Sequence, residues 1–379
     1  MTWPTRPVSE LCLLALDCVN KTAPVLDGPT PYKMIRTTNV KGGLIDTKTV
    51  RYVSAETYQL WTRRARPKFG DVILTREAPV GEVGRCTFDE SENIFLGQRL
   101  FKYRPDPELL DWNYLAYALQ SLQVQSKLHG MSFGATVPHV KVGDAENLDI
   151  PYPPLATQRA IGAALAAYDD LIEANQRRIS LLEEAVRVLY REWFVYLRFP
   201  GNESAARDEG LPNGWSQRSL GDLVTLNYGK ALRDSDRRVG HVPVYGSSGI
   251  IGTHDRPLTE GPVLIVGRKG NVGSIFYSSS ACFPIDTVYF VKGIEVTFFN
   301  YLTLKSLSFV SSDTAVPGLN RNHAYAMPVL VPSGDALHVF EQTVRPYFEQ
   351  TENLTLQSKR LREARDALLP KLMSGEISI

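Results

Sequence analysis

Several features are scarce or missing in this sequence of 379 residues, and each absence excludes a class of protein. No apolar run approaches the roughly 20 residues that a membrane-spanning helix needs. The N-terminus lacks a basic segment before an apolar stretch, so a signal peptide is not expected. The four cysteines form no CxxC pair, which favours reduced thiols in a cytoplasmic protein.

An excess of charge of one sign is also missing. The formal net charge is +1, with 18 basic against 17 acidic residues in 1–154 and 12 against 11 in 199–332. Neither part has the bulk basic excess that is typical of nucleic-acid-binding domains. A DNA partner would therefore require basic side chains that are sorted onto one face.

Catalytic motifs are missing as well. The glycine-rich stretch 261-GPVLIVGRKGNVGS-274 lacks the Lys-Ser/Thr pair that a P-loop requires. The residues that follow it read as a strand, whereas a dinucleotide fingerprint opens a helix. No HExxH, HxH or GxSxG spacing occurs. We predict a chain with no catalytic residue, no metal site and no cofactor of its own. A nucleotide-dependent enzyme that uses the loop from Gly267 to Gly273 remains the alternative.

An internal repeat is present instead. Five stretches of the first half match five of the second in unchanged order, which predicts a tandem duplication. The matched pairs are 3-WPTRPVSEL-11 with 215-WSQRSLGDL-223, 31-PY-32 with 244-VY-245, 70-GDVILTREAPVGEVG-84 with 261-GPVLIVGRKGNVG-273, 135-ATVPHV-140 with 314-TAVPGL-319, and 149-DIPYPP-154 with 328-PVLVPS-333.

A heptad seam follows each copy of the repeat, and it predicts two long helices that pack on each other. The first seam comprises Ile161, Leu165, Tyr168, Ile172, Asn175, Ile179, Leu182, Val186, Leu189, Trp193 and Tyr196. The second, weaker seam comprises Phe340, Val344, Tyr347, Thr351, Leu354, Ser358, Leu361, Arg365, Leu368 and Leu372. Asn175 either fixes the register of the two helices or lies at the solvent-exposed edge of the seam.

These patterns predict an α+β fold, with two duplicated globular domains joined by two long antiparallel coiled-coil helices. The short apolar runs 72–74, 94–96, 262–266 and 288–291 predict strands. One helix is expected over 111–128 and another over 298–310. The predicted boundaries are 1–154 for the first domain, 155–198 for its helix, 199–332 for the second domain and 333–379 for the last helix.

Basic and glycine-rich loops recur at corresponding places in both copies, and they suit contacts to phosphates and base edges. The side chains that we predict to bind DNA are Arg36, Asn39, Lys41, Arg76 and Ser132 in the first domain, and Lys230, Arg268, Lys269, Arg321, Asn322 and His323 in the second. A purely structural coiled-coil adaptor is a third hypothesis, but it has little need of paired heads that bear such loops.

The sequence resembles the specificity subunits of type I restriction–modification systems. The resemblance lies in 149-DIPYPPLATQRAIGAAL-165, 33-KMIRTTNVKGGLID-46, 243-PVYGSSGIIGTHD-255 and 315-AVPGLNRN-322. It implies two target-recognition domains that each read half of a split sequence in double-stranded DNA, with the helices as spacer. It also implies a non-catalytic subunit, with S-adenosylmethionine on methyltransferase subunits, and ATP and Mg²⁺ on motor–endonuclease subunits. The second helix junction, 332-PSGDALHVF-340, departs from the PPLxxQ form.

Overall fold

The computed structural model describes residues 3–134, 138–201, 207–208, 210–309 and 318–379. The chain divides into two compact units, one of residues 1–176 with 355–379 and one of residues 177–354. Among the described residues, no helix combines the length and the apolar character needed to cross a membrane.

The first half of the chain ends in a long helix. Its elements are β1 (Thr5–Pro7), β2 (Cys12–Asp17), β3 (Lys33–Ile35), β4 (Val40–Lys41), β5 (Leu44–Ile45), β6 (Arg51–Tyr52), α1 (Ala55–Thr62), β7 (Val72–Arg76), β8 (Val80–Arg85), β9 (Ile94–Leu96), β10 (Leu100–Pro105), α2 (Trp112–Gln120), α3 (Leu122–Gly130), α4 (Val142–Glu146), β11 (Asp149–Pro151) and α5 (Leu155–Tyr190). A π-helical turn, Arg191–Val195, extends α5.

The second half also ends in a long helix. Its elements are β12 (Arg207–Asp208), β13 (Leu211–Pro212), β14 (Ser216–Ser219), β15 (Asn227–Tyr228), β16 (Val242–Gly246), β17 (Gly249–His254), β18 (Val263–Gly267), β19 (Ile275–Ser278), β20 (Phe283–Pro284), β21 (Val288–Lys292), α6 (Phe298–Ser306), α7 (Arg321–Tyr325), β22 (Pro328–Val331) and α8 (Gly334–Ser374).

Three sheets occur in both halves with the same topology. The antiparallel sheet β2-β10-β7-β8 corresponds to β15-β21-β18-β19. The sheet β6-β3-β9, with its parallel β3–β9 pair, corresponds to β17-β16-β20 with its parallel β16–β20 pair. The antiparallel pair β1-β11 corresponds to β14-β22. The predicted tandem duplication is confirmed.

One of the two central strands of each four-stranded sheet, β7 or β18, is buried on both faces, which explains its continuous apolar run. In β7, Val72 and Leu74 enter the core beneath α2, whereas Ile73 enters a second core on the opposite face. In β18, Leu264 and Val266 likewise join one core, and the residues that alternate with them join another. Because side chains alternate across a strand, each of these two strands joins two cores. The strands predicted from these runs are confirmed.

The helix predicted over 111–128 is wrong as one continuous element. Ser121 separates α2 from α3 in an extended conformation, with ψ at 146°. Its hydroxyl donates a 2.6 Å hydrogen bond to the carbonyl of Ala118, and its main-chain N–H donates to the same oxygen. Serine side chains compete for backbone groups in this way, so they often end helices. In the second half, α6 ends at Ser306, before the predicted limit, and residue 310 lies outside the described residues.

The long helices run antiparallel within each unit. In the first unit, Asp169 of α5 contacts Arg365 of α8, and Asn175 contacts Gln357. In the second unit, the ring of Tyr190 lies against that of Phe340. As the residue numbers along α5 increase, the residue numbers of the contacts on α8 therefore decrease. The predicted fold class, an α+β chain with duplicated domains and long antiparallel helices, is confirmed.

The predicted seam residues are buried or half-buried, with one exception. Tyr196 is exposed because the helical conformation ends before Leu197, whose φ is +57°. Asn175 is itself buried, and its amide donates a 3.1 Å hydrogen bond to the Oε1 of Gln357. A polar residue that fixes the register of two helices must be buried and must pair with the facing helix, and Asn175 meets both conditions.

Candidate nucleic-acid interface

A cluster of aromatic and guanidinium groups lies on the surface of the second unit. The ring of Tyr228, at the end of β15, is 52 % exposed. The guanidinium carbon of Arg268 lies 5.2 Å from its centroid, and that of Arg321 lies 5.0 Å from it. Arg268 also lies 5.7 Å from the ring of Tyr289, and Arg321 lies 6.0 Å from that of Tyr325. We call these five residues the tyrosine–arginine cluster.

Main-chain hydrogen bonds fix the position of Arg268. Its N–H donates to the carbonyl of Thr287 at 2.9 Å, and its own carbonyl accepts from the N–H of Leu319 at 2.8 Å. The Tyr289 hydroxyl donates to the Leu319 carbonyl at 3.1 Å. The loop after β18 is thereby joined to the segment that leads into α7.

Arg321 is fixed by the start of α7. The side-chain oxygen of Asn320 accepts from the N–H groups of Asn322 and His323, which caps the helix. The Tyr325 hydroxyl accepts a 2.8 Å hydrogen bond from the N–H of Leu226, close to β15. The cap and this hydrogen bond hold α7 beside the exposed ring of Tyr228.

The cluster concentrates positive charge without neutralising it. Within the described ranges, neither Arg268 nor Arg321 forms an ion pair with a carboxylate, and the buried Nε of each has no hydrogen-bond partner. Burial raises the pKa of Tyr289, so its ring remains a neutral phenol. Lys269 follows Arg268 directly, and Lys230 is exposed two residues after Tyr228. The arrangement can attract an anion or accept a planar polar partner.

The glycine-rich stretch 261–274 forms β18 and the turn after it, and the predicted strand follows as β19. Its turn contacts the β16–β17 hairpin, where the Ser274 hydroxyl donates a 2.6 Å hydrogen bond to the carbonyl of Ser247. A Cβ on Gly267 would lie 2.1 Å from the carbonyl oxygen of Asn271, so the turn requires glycine there. These contacts account for the glycines without a nucleotide phosphate.

Arg76 takes the place of Arg268 in the first unit. Its N–H donates to the carbonyl of Arg99, and its carbonyl accepts from the N–H of Val140, both at 2.9 Å. This is the pattern that Arg268 makes with Thr287 and Leu319. The side chain differs, because the Nη1 of Arg76 donates a 2.7 Å hydrogen bond to the Val140 carbonyl.

The other first-domain candidates are distributed over two loops. A hydrogen bond of 3.0 Å from Thr37 to the carbonyl of Ala78 joins the 36–39 loop to the turn after β7. Arg36 reaches the Thr49 carbonyl at 3.4 Å, and Lys41 is exposed on β4. The Ser132 hydroxyl donates to the carbonyl of His129 at 2.7 Å. In the part of the chain that is described, no hydrogen bond joins Lys41 or Ser132 to another candidate.

Asn39 lies in the interior of its loop. It is 2 % exposed, and its amide nitrogen donates to the Thr49 carbonyl at 3.2 Å and to the Thr49 hydroxyl at 3.1 Å. Its amide oxygen accepts from the N–H of Arg36 at 3.0 Å. In the structure, Asn39 shapes the loop that presents Arg36 and Lys41, and its contact with DNA stays a prediction.

Replacing Asn39 with alanine should lower the free energy of unfolding by about 1–3 kcal/mol, because buried partners lose their hydrogen bonds. Urea unfolding of the full chain measures this change. The exposed Thr38 of the same turn is the control, and Thr38→Ala should change stability by less than about 0.5 kcal/mol. Equal losses for the two variants would contradict the loop-shaping role.

Sequence reasoning missed the three tyrosines of the tyrosine–arginine cluster and, in the first unit, the pair formed by Phe133 and Lys141. Tyr228 was overlooked because a lone tyrosine in a short strand carries no motif. Its one signal is the following Gly229, where a Cβ would lie 2.0 Å from the carbonyl oxygen of Ile285. Phe133 is half exposed, and the Nζ of Lys141 lies 4.4 Å from its ring centroid. Among the described residues, no group of His, Cys, Asp and Glu side chains is arranged to hold a metal ion.

The sequence of this chain is similar to those of type I restriction enzyme specificity subunits. A family profile described as a type I restriction modification DNA specificity domain matches residues 15–184. The MjaIX specificity subunit of a type I restriction enzyme from Methanocaldococcus jannaschii is 26 % identical, over 83 % of this chain and 79 % of that protein. The HindI specificity subunit from Haemophilus influenzae is 21 % identical, over 82 % and 87 %.

The same fold is present in a solved structure. The crystal structure of the S subunit of a type I restriction–modification system from M. genitalium matches this chain with a TM-score of 0.59 at 22 % identity. The match covers 98 % of this chain and 96 % of that one. At this level of identity the likeness concerns the fold.

Proposed function

We propose that this chain is a specificity subunit of a type I restriction–modification system, which its similarity to such subunits supports, and that it recognises double-stranded DNA in the cytoplasm. Each half reads one part of a split target sequence. The chain itself carries out no chemistry, because recognition requires positioned side chains and no reacting group.

One observation carries the proposal, namely the common main-chain frame around Arg76 and Arg268. In both halves a strand end presents an arginine whose N–H and carbonyl are held by the same pair of neighbouring segments. Reading two different half-sites requires a constant frame with variable side chains. The charged loops beside this frame are suited to phosphates, and its planar groups are suited to base edges.

The long helices supply the second part of the proposed function. We assign to them the spacing between the two half-sites and the docking of methyltransferase subunits. Leu171 and Leu181 on α5 are exposed and lie outside the seam, so they offer apolar contacts to such a partner. S-adenosylmethionine would bind to the methyltransferase subunits, and ATP and Mg²⁺ to the motor–endonuclease subunits. Partner subunits would also share the phosphate contacts, which accommodates a net charge of +1.

The test uses the full chain assembled with its methyltransferase subunits. A library of duplexes that differ only in sequence should yield a target in two parts separated by unspecified bases. Affinity should fall as salt rises, because phosphate contacts release counterions. A complex that binds all duplexes alike, or that selects one undivided short site, would refute the proposal.

A further inference from the structure

We propose that Arg268 and Arg321 read guanine in the half-site that the second unit faces, with Tyr228 as the residue that positions both guanidinium groups. This inference rests on the proposed function, since it assigns the bases that the tyrosine–arginine cluster recognises. It also predicts a difference between the two half-sites, because no ring in the described part of the first unit is shared by two arginines.

The argument begins with the order imposed on the two arginines. Each guanidinium lies beside the shared ring of Tyr228 and beside a second ring, Tyr289 for Arg268 and Tyr325 for Arg321. Stacking on aromatic faces restricts the plane of a guanidinium group. A group with a fixed plane is pre-organised for a partner that requires a defined direction of approach.

The edge of guanine is such a partner. In the major groove it presents O6 and N7 as two adjacent acceptors, which match the planar fork of arginine. A phosphate can also accept two hydrogen bonds from an arginine, but it can equally be bound by a lysine acting as a point charge. The exposed Lys230 provides a contact of that kind beside the cluster. Fixed arginines next to a free lysine favour base reading by the arginines.

The electrostatic surroundings leave both arginines available. In the described part of the chain, neither arginine has a carboxylate partner, so no internal anion competes with DNA for either group. The first unit offers a contrast, because the Nη1 of Arg76 is bonded to the Val140 carbonyl. The residue after it, Glu77, pairs with Arg99 at 3.3 Å.

The experiment measures the sequence preference of complexes assembled from variant chains and methyltransferase subunits. Arg268→Lys and Arg321→Lys keep the charge and remove the planar fork. Each should reduce the preference for guanine at one position by roughly 5- to 150-fold while the other half-site remains unchanged. The matched control is Arg256→Lys, which alters an exposed arginine of the same unit that makes no ring contact among the described residues.

Variants of Tyr228 test whether its ring positions the two guanidinium groups. Tyr228→Leu should relax both guanine positions, whereas Tyr228→Phe keeps the ring and should retain the wild-type preference. Thermal unfolding of each variant chain checks that it is folded. If Tyr228→Leu does not fold, the lysine variants and Tyr228→Phe still decide the question.

Several outcomes would overturn the inference. The first is a wild-type target without guanine in either half. The second is an unchanged preference for guanine in both lysine variants. The third is an equal loss of affinity for all DNA sequences with a smaller salt dependence, which would identify phosphate contacts. Failure of the proposed function itself is recognised separately, because the wild-type complex would then discriminate among no sequences at all.

Discussion

Replacing Asp169 with alanine should destabilise the first unit by about 3–5 kcal/mol, the usual cost of leaving a buried charge without its partner. Asp169 is 1 % exposed and lies on α5. It contacts Arg365 of α8, accepts a hydrogen bond from the hydroxyl of Tyr117, and has the Nη2 of Arg85 at 3.7 Å. Burial raises the pKa of Tyr117, so this hydroxyl remains a donor. Without this buried carboxylate, Arg365 would keep only Asp366 as a counterion, and Arg85 would keep only the exposed Asp170.

The adjacent residue provides the control for this prediction. The side chain of Asp170 is 68 % exposed and lies 3.5 Å from Arg85, and Asp170→Ala should cost no more than about 1 kcal/mol. Urea unfolding and hydrogen exchange in β7 and β10 measure both variants. A second change, Arg365→Leu, should restore part of the stability lost in Asp169→Ala, since it removes a guanidinium group that has lost its buried carboxylate. Equal stability of Asp169→Ala and the wild type would show that the network contributes nothing.

Replacing Phe340 with alanine should destabilise the second unit by about 3–5 kcal/mol, the range for a large buried ring that leaves a cavity. Phe340 lies on α8 and is completely buried. Its ring centroid lies 4.7 Å from that of Phe194, 5.5 Å from that of Trp193 and 6.4 Å from that of Tyr190. All three partners belong to the end of α5 and its π-helical turn, so the truncation would leave a cavity between the two long helices.

Val339 provides the control on the same helix, because it is exposed and immediately precedes Phe340. Val339→Ala should change the free energy of unfolding by less than about 0.5 kcal/mol. Hydrogen exchange in β18 and β21, with urea unfolding of the full chain, measures the two variants. Phe340→Leu should lie between alanine and the wild type because it refills part of the cavity. A loss of less than 1 kcal/mol in Phe340→Ala would mean that the site collapses around the missing ring.

Local periodicity made the strands and the long helices predictable. A doubly buried strand such as β18 reads as a continuous apolar run, and a helix seam repeats every three or four residues. The same logic could not find the break at Ser121, because a hydroxyl that bonds to a nearby carbonyl leaves no periodic signal. Nor could it separate Asp169 from Asp170, which are identical in type and differ in the face of α5 that they occupy.

The candidate site was harder to predict because it depends on long-range pairing. Arg268 and Arg321 could be named from their basic loops, but Tyr228 reaches them only because β21 lies between β15 and β18 in the sheet. Asn39 shows the converse, since a residue type suited to reading adenine is buried here and holds a turn. Residue type indicates which contacts are available, whereas the fold decides which partner receives them.

The hydrogen bonds that hold residues 76 and 268 have a consequence for how such proteins diversify. They are made by main-chain groups alone, so a mutation that exchanges the side chain at either position leaves the frame intact. The neighbouring positions already differ in charge, with Glu77 in one half and Lys269 in the other. Natural selection, or a designer, can thus alter what each half prefers in small steps without first rebuilding the scaffold.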